Sequence, residues 1–260
     1  MTNGRTVLKD WRVYIDGRDM SGYTRSFGPL ACTFDEGIDD ALTLAVKGTL
    51  LGNAMVSMGT LNGIYDNTAM VGLHAIMKGA GVQRNVMLAC GIQAPPANND
   101  PVFCGRFLQL GYQGDPGVNP VTASIPFGNS SAQAGNLLYA KPWGVLLHAL
   151  AERTAANTAV GLDQLAETHK GGFMMYQITS ADGAGNMTAA IKVQDADTNS
   201  DGSFGDLLSS GTINCVNGGV SGIVTLAKTA TVKRYVRWQL ALGTATKVTF
   251  ALAFCRNYNS

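Results

Sequence analysis

The sequence reads as a mainly β protein: a first sheet system flanked by one helix, then an all-β sandwich. Three observations predict this. Apolar residues alternate with polar ones at a spacing of two in many short runs, the signature of half-buried strands. Clusters of Gly, Asn, Asp and Pro, the residues that turn a chain, recur at short intervals between those runs. Charged residues are only 14% of the chain while 32 of its 260 residues are glycine, so the surface is built from small neutral side chains rather than from charge.

Residues 1–10 read as a polar arm. From Trp11 the pattern is Trp11-Arg-Val-Tyr-Ile-Asp-Gly17, a strand with Trp11, Val13 and Ile15 on one face that Asp16-Gly17 stops. Between Asp35 and Gly48 the apolar spacing becomes that of a helix, through Ile38, Leu42 and Val46. Asp35 is placed as its N-cap, Glu36, Asp39 and Asp40 at the positive end of its dipole, and Lys47 at the negative end. A strand through Ala54–Met58 then meets the cluster Gly59-Thr-Leu-Asn-Gly63, read as a turn, before a strand Gly63–Asp66. Thr68–Lys78 is a short helix carrying His74. Strands follow at Asn85–Cys90 and Phe103–Tyr112, separated by the loop Ala94–Pro101, whose adjacent prolines cannot continue a ladder. Val121–Phe127 closes the first sheet system. Gly128–Gly135 has linker composition, which divides the chain into residues 1–130 and 131–260.

In the second part, Val145–Leu150 is apolar, and Phe173–Thr179 and Ala189–Gln194 bracket the turn Asp182–Asn186. Near the end, Val236, Trp238, Leu240 and Leu242 alternate on one strand and Val248, Phe250, Leu252 and Phe254 on the next. The linker Gly243-Thr-Ala-Thr predicts a hairpin, with Arg234, Tyr235, Arg237 and Gln239 on its polar face.

The function classes that composition bears on are few. A net charge of +1 supplies no global field for nucleic acid or acidic membranes. Five widely spaced cysteines, Cys32, Cys90, Cys104, Cys215 and Cys255, form no C-x-x-C pair, so they read as small buried hydrophobes rather than as a disulfide framework or zinc site. No apolar secretion segment follows the opening residues and no run approaches the roughly 18 apolar residues of a membrane span; the expectation is folding in a reducing cytoplasm.

Chemical motifs are sparse. Asp197-Thr-Asn199-Ser-Asp201-Gly202 fits the opening of a calcium loop, but Leu208 stands where the bidentate Glu belongs, so a solvated turn is the preferred reading and no metal or other cofactor is expected. His74 and His148 lie in apolar surroundings and His169 in a polar turn. No G-x-S-x-G elbow, dinucleotide fingerprint or Walker loop frames a catalytic or nucleotide site, and the expectation is a protein that is not an enzyme. The cluster Lys228, Lys233, Arg234 and Arg237 beside Tyr235 and Trp238 has the form of a single-strand stacking surface, against the commoner reading of a charged sheet face. Low charge and the absence of a site together favour a subunit that buries its exterior against copies of itself.

Two parts of the chain resemble a known family. Val13–Gly17, Glu36–Gly48 and the strand ending Gly59-Thr-Leu-Asn-Gly-Ile-Tyr-Asp66 resemble the major tail tube proteins of long-tailed bacteriophages. So do Gly144–His148, Ile191–Asp197 with Phe204–Leu207, and Arg234–Arg237 leading into Val248–Phe254, which resemble the second half of two-part members. The resemblance implies a tail-tube-like β-sandwich or barrel with a flanking α-helix, followed by a second β-sandwich. It also implies a virion protein assembled in the host bacterial cytoplasm into hexameric or trimeric rings that stack around passing DNA, with the tail tip, tape measure and tail terminator as partners and no membrane. The inter-subunit contacts expected are Arg18, Tyr23 and Arg25 in the loop 18–26, then Thr60, Leu61 and Asn62, with Arg234 and Arg237 from the second half. A capsid decoration protein and a carbohydrate-binding module using Trp143 and Trp238 are the alternatives.

Overall fold

The computed structural model describes residues 8–39, 48–117, 119–130, 142–157, 159–216 and 218–257. It is mainly β. The first half gives β1 (Trp11–Ile15), β2 (Arg18–Asp19), β3 (Thr24–Phe27), β4 (Leu30–Asp39), β5 (Gly48–Met58) and β6 (Leu61–Ile64). A short helix α1 (Leu73–Met77) precedes β7 (Val82–Cys90), β8 (Pro101–Gln109), β9 (Gln113–Asp115), β10 (Thr122–Ile125) and β11 (Phe127–Ser130). The second half gives β12 (Trp143–Arg153), β13 (Leu162–Asp163), β14 (Gly172–Gly183), β15 (Thr188–Ala196) and β16 (Gly205–Ser209). It ends with β17 (Ile213–Asn214), β18 (Val220–Thr225), β19 (Tyr235–Leu242) and β20 (Ala245–Arg256).

One sheet dominates, in the order β18-β14-β20-β12-β8-β11-β5-β4, with β7, β1 and β2 branching from β8. It runs through both parts of the chain, since β12 pairs with β8 from Trp143↔Phe103 to Val145↔Pro101. Much of β7, β8, β14 and β20 is buried on both faces, and the period of two sorts the sheet's side chains into three cores. Val13 and Ile15 of β1, Val86 and Leu88 of β7 and Phe103 and Phe107 of β8 enter a first core, covered by a four-stranded sheet β3-β6-β10-β9 and by Leu73 and Met77 of α1. Met174, Tyr176 and Ile178 of β14 and Phe250, Leu252 and Phe254 of β20 enter a second, covered by the sheet β13-β19-β15-β16 through Ile191, Val193, Trp238 and Leu240. The alternate residues Tyr14, Met87, Ala89, Val102, Cys104, Phe173, Met175, Ala251, Ala253 and Cys255 form a third core that belongs to both halves. The sheet therefore curls back on itself around this shared core.

The curl closes without a continuous ladder. Gln177 of β14 accepts a hydrogen bond from Gly17 N at 2.6 Å and donates one to Asn85 O at 3.1 Å. A side-chain amide has the donor and acceptor of a peptide group, so it stands in for one rung. Asn85 Nδ2 adds a bond to Ser221 Oγ at 2.9 Å. Asp16 and Gly17 sit at φ 48° and 74° and join β1 to β2 across Ile15↔Arg18, the left-handed pair that a two-residue hairpin loop needs. Arg84 ties α1 to this edge, donating to Ile76 O at 2.9 Å and pairing with Asp16 at 3.0 Å.

Several sequence expectations are corrected. The helix placed over Glu36–Lys47 is not formed at its start: Glu36–Asp39 belongs to β4, and residues 40–47 lie outside the described residues. The pairing from Leu30↔Met58 to Asp39↔Gly48 is non-local, and Gly37 weakens a helix there by about 1 kcal/mol; at Glu36–Asp39 a ladder overrides a local period. The cluster Gly59–Gly63 is a turn only at Gly59-Thr60, because Leu61-Asn62-Gly63 pairs with β10 and β3. The helix over Thr68–Lys78 shrinks to Leu73–Met77. The final hairpin is not a hairpin: β19 pairs with β15 and β20 with β14 and β12. The two strands alternate in step because they face each other across the second core rather than side by side. The linker 243–246 crosses between sheets, as does the Asp182–Asn186 turn joining β14 to β15.

Of the cysteines, Cys90, Cys104, Cys215 and Cys255 are buried and Cys32 is half-buried, all as free thiols. Burial pushes the Cys90 thiol up to about 12, and Cys104 is raised by burial and by Cys255 beside it, so these groups stay protonated and pack as apolar atoms.

Candidate assembly surfaces

The four-stranded sheet brings part of the predicted contact set together. Its register places Phe27, Leu61 and Ile125 in one row facing the first core. The next row, Ser26, Asn62, Ser124 and Gln113, faces outward across all four strands, and Asn62 Nδ2 donates to Ser26 Oγ at 3.3 Å. Arg25 is the extra residue of a bulge between Thr24 and Ser26, a device that re-aims a side chain. Arg25 on β3 and Asp115 on β9 thus stand at opposite edges of a concave face of about 530 Å³. Among the described strands neither β3 nor β9 has a partner on its outer side.

Leu61 faces inward and is fully buried, Tyr23 packs against the same core, and Thr60 is half-buried at the turn. Inserting a charged pair at Leu61-Asn62 therefore shifts the core row by two positions and drives charge into it. The expected result is loss of cooperative unfolding, read by circular dichroism, rather than a folded monomer.

The hairpin β4–β5 is the second surface. Among the described residues β5 pairs with the rest of the sheet at Ser57↔Asn129, its Val56 and Met58 enter the first core, and the outer edge of β4 has no partner among the described strands. From Thr33↔Met55 to Asp39↔Gly48 the two strands pair with each other. A third exposed group lies in the loop before α1, where Met70 is 60% exposed with Val71 and Tyr65 beside it, and Met70 holds a left-handed φ of 65°.

The remaining candidates are spent within the chain. Arg18 lies against Gly218 and Gly219. Arg234 makes two bonds to Asp163, at 2.8 and 2.6 Å, and holds that carboxyl down at about 2. Arg237 is buried, stacked over Phe204 at 4.3 Å, and bonded to Asp201 at 2.5 Å and to Ala159 O at 3.1 Å. Lys233 pairs with Asp197 at 2.9 Å, so three cations of the proposed stacking surface are already neutralised. The calcium-loop residues are engaged by the same pairs: Asp197 with Lys233, Asp201 with Arg237, and Asn199 with both backbone groups of Gly161. Trp143, at the start of β12, packs edge-on against Phe103, whereas Trp238 is buried in the second core; they form no joint platform.

What the sequence did not reveal is the environment of His148. It is fully buried, stacked on Phe250 at 4.3 Å, with Nδ1 at 3.0 Å from Phe250 O and Nε2 accepting from Arg153 Nε at 2.7 Å. Burial first, and the Arg153 charge second, push its pKa down to about 4, so the ring is neutral and Nδ1–H is the donor to Phe250 O. Only the i, i+5 spacing of His148 and Arg153 hints at the bulges described below.

No protein-family model matches this chain, and no curated protein matches it. Among solved structures it is similar to the SPP1 Dit (gp 19.1) protein, whose structure is described as a paradigm of the hub adsorption apparatus in Gram-positive infecting phages. The TM-score is 0.32 and the identity 10%, over 95% of this chain and 98% of that one.

Proposed function

We propose that this chain is a structural subunit of a bacteriophage tail, and specifically a tail tube subunit that assembles with copies of itself into stacked rings through which DNA passes. The observation that carries the reading is the β4–β5 hairpin at the end of the sheet, where β4 has no partner on its outer side among the described strands. Two-stranded ribbons are marginal in water on their own, and open edges recruit further strands. A heterologous contact that repeats around an axis closes into a ring and satisfies both needs. The low charge of 14% suits a surface that is covered in the assembly, and the reading assigns the chain no catalytic step.

On this reading the outward row Ser26, Asn62, Ser124 and Gln113 faces the lumen. The hydroxyls and amides of this row are neutral, and Arg25 at one edge of the face is matched by Asp115 at the other, so passing DNA meets little net charge. The Met70–Val71 loop serves as the contact between rings. The test is negative-stain microscopy of concentrated protein, with mass photometry separating six copies per ring from three. Rings or tubes are expected; a strict monomer, even when tail-tip proteins are supplied, overturns the proposal, and binding to empty heads instead favours a capsid decoration role. The double variant Met70→Asp, Val71→Asp is expected to keep the melting temperature within a few degrees and to abolish stacking, because exposed substitutions cost under about 0.5 kcal/mol each. Tubes that persist in this variant remove the loop from the interface.

A further inference from the structure

A cleft of about 460 Å³ opens between the end of β12, the chain segment that follows it, and the β19 strand. Its apolar wall is formed by Leu147, Leu162, Val236 and Trp238. The segment after β12 is fixed to β19 by paired amides: Asn157 N donates to Gln239 Oε1 at 2.8 Å and Gln239 Nε2 donates to Asn157 O at 3.0 Å. The rim is therefore built rather than loose.

Arg153 stands in this cleft in an arrangement that the fold constructs at some cost. β12 pairs with β20 as Leu146↔Ala253, His148↔Leu252 and Ala151↔Phe250, so its register slips by one residue twice within six. Across the second of these bulges, which falls between His148 and Ala151, His148 and Arg153 lie opposite Leu252 and Val248, two residues that both enter the second core. An odd separation of five residues has been converted into a shared face, which is how bulges re-aim side chains. The buried imidazole uses its lone pair to hold Arg153 Nε, and the guanidinium carbon lies 5.4 Å from the Trp238 ring.

The ion pairs nearby leave this one cation over. Arg237 at the same cleft is paired with Asp201, and Glu152 next to Arg153 is paired with Lys247 at 2.9 Å. Among the described residues no carboxylate lies within ion-pair distance of Arg153. With Nε engaged by His148, Nη1 and Nη2 remain as two parallel donors, the geometry that matches two oxygens of one carboxylate.

We propose that this cleft is a binding site for an organic carboxylate, whose two oxygens meet Nη1 and Nη2 of Arg153 and whose apolar body lies on Trp238 and Leu162, with Leu147 and Val236 packed behind them. The volume falls in the range of small-ligand sites, and such sites combine apolar walls with few fixed polar groups. His148 is the positioning residue that fixes the fork. The site is independent of ring assembly.

Binding is tested on the full chain by heteronuclear NMR with three acid and amide pairs: phenylacetate, cyclohexanecarboxylate and indole-3-acetate, each against its uncharged amide. At least one acid is expected to bind about tenfold more tightly than its amide, the usual margin of a charge-assisted bond, with shifts at the Trp238 indole. Arg153→Gln, an exposed change that leaves the core intact, is expected to abolish that preference. Arg153→Lys, which keeps the charge without the fork, should recover less than half of it in free-energy terms. Equal binding of acid and amide in all three pairs, or a preference that survives Arg153→Gln, overturns the proposal.

Discussion

Gly17→Ala is expected to destabilise the fold by about 3 kcal/mol. A Cβ at this position would lie 2.2 Å from Val220 N and 2.3 Å from Gly219 C, distances that only backbone movement can relieve. The φ of 74° adds about 1 kcal/mol of strain for any residue with a Cβ. The displaced atoms belong to the start of β18, so the change pushes apart the two margins of the curled sheet just where Gln177 joins them. Gln177→Leu is the companion: it keeps the volume but strips Gly17 N of its acceptor, and a buried donor left unsatisfied costs about 1–3 kcal/mol. Urea unfolding followed by tryptophan fluorescence reads both. The double variant should lose less than the two single losses added together, because both act on one contact. Simple addition would mean that Gln177 and Gly17 stabilise the chain separately and that the curl is closed elsewhere.

The second large effect is a loss of stability in mild acid. His148 is held neutral with a folded pKa of about 4 against an ordinary value of 6.5. Below pH 6.5 the unfolded chain takes up a proton at this position that the folded chain refuses, so stability declines as pH falls from about 6.5 to about 4 and levels off below that. The depression corresponds to roughly 3 kcal/mol at most. Asp163 and Asp206, whose carboxyls are held below the usual range, act the same way only at lower pH. Asp195, whose carboxyl is raised by burial, acts in the opposite sense: folding disfavours its charge, so protonation relieves a penalty as pH falls and slightly flattens the slope. Denaturant titrations at half-unit steps should show the decline in the parent protein and a much shallower one in His148→Phe, which retains the stack on Phe250. An unchanged slope in that variant would assign the acid sensitivity to another group.

Both effects arise where residues distant in sequence meet, and this marks the boundary of what local pattern conveys. The mainly β class, the loop Ala94–Pro101, the strands through Trp11–Ile15, Asn85–Cys90 and Phe173–Thr179, and the apolar character of the buried cysteines were all legible, because a period of two, a proline pair or an unpaired thiol expresses itself within a few residues. The alternation of Val236–Leu242 and Val248–Phe254 was also read correctly as strand, yet its partner was not. Period two states which residues share a face and is silent on whether the next strand lies beside that face or opposite it. The start of the Glu36–Lys47 helix, Glu36–Asp39, failed for a related reason, since its acidic residues met the local rules while the ladder to Gly48–Met58 is a longer-range choice.

The candidate surfaces divide along the same line. Sequence selected Arg25 and Asn62 as contacts, and the fold brings them onto one outward face; it also selected Leu61 and Arg237, which the fold buries. Polarity and turn composition predict exposure only on average, and one residue of register moves a side chain from solvent to core. The sequence alone thus determined a low-charge β protein without a recognisable catalytic motif. Only the tertiary structure decided that one sheet would curl through both halves, that Gln177 would close it, that the outer edge of β4 would have no partner among the described strands, and that a bulge would set His148 beside Arg153. Each of these depends on hydrogen-bond pairing between segments tens of residues apart, which no local period encodes.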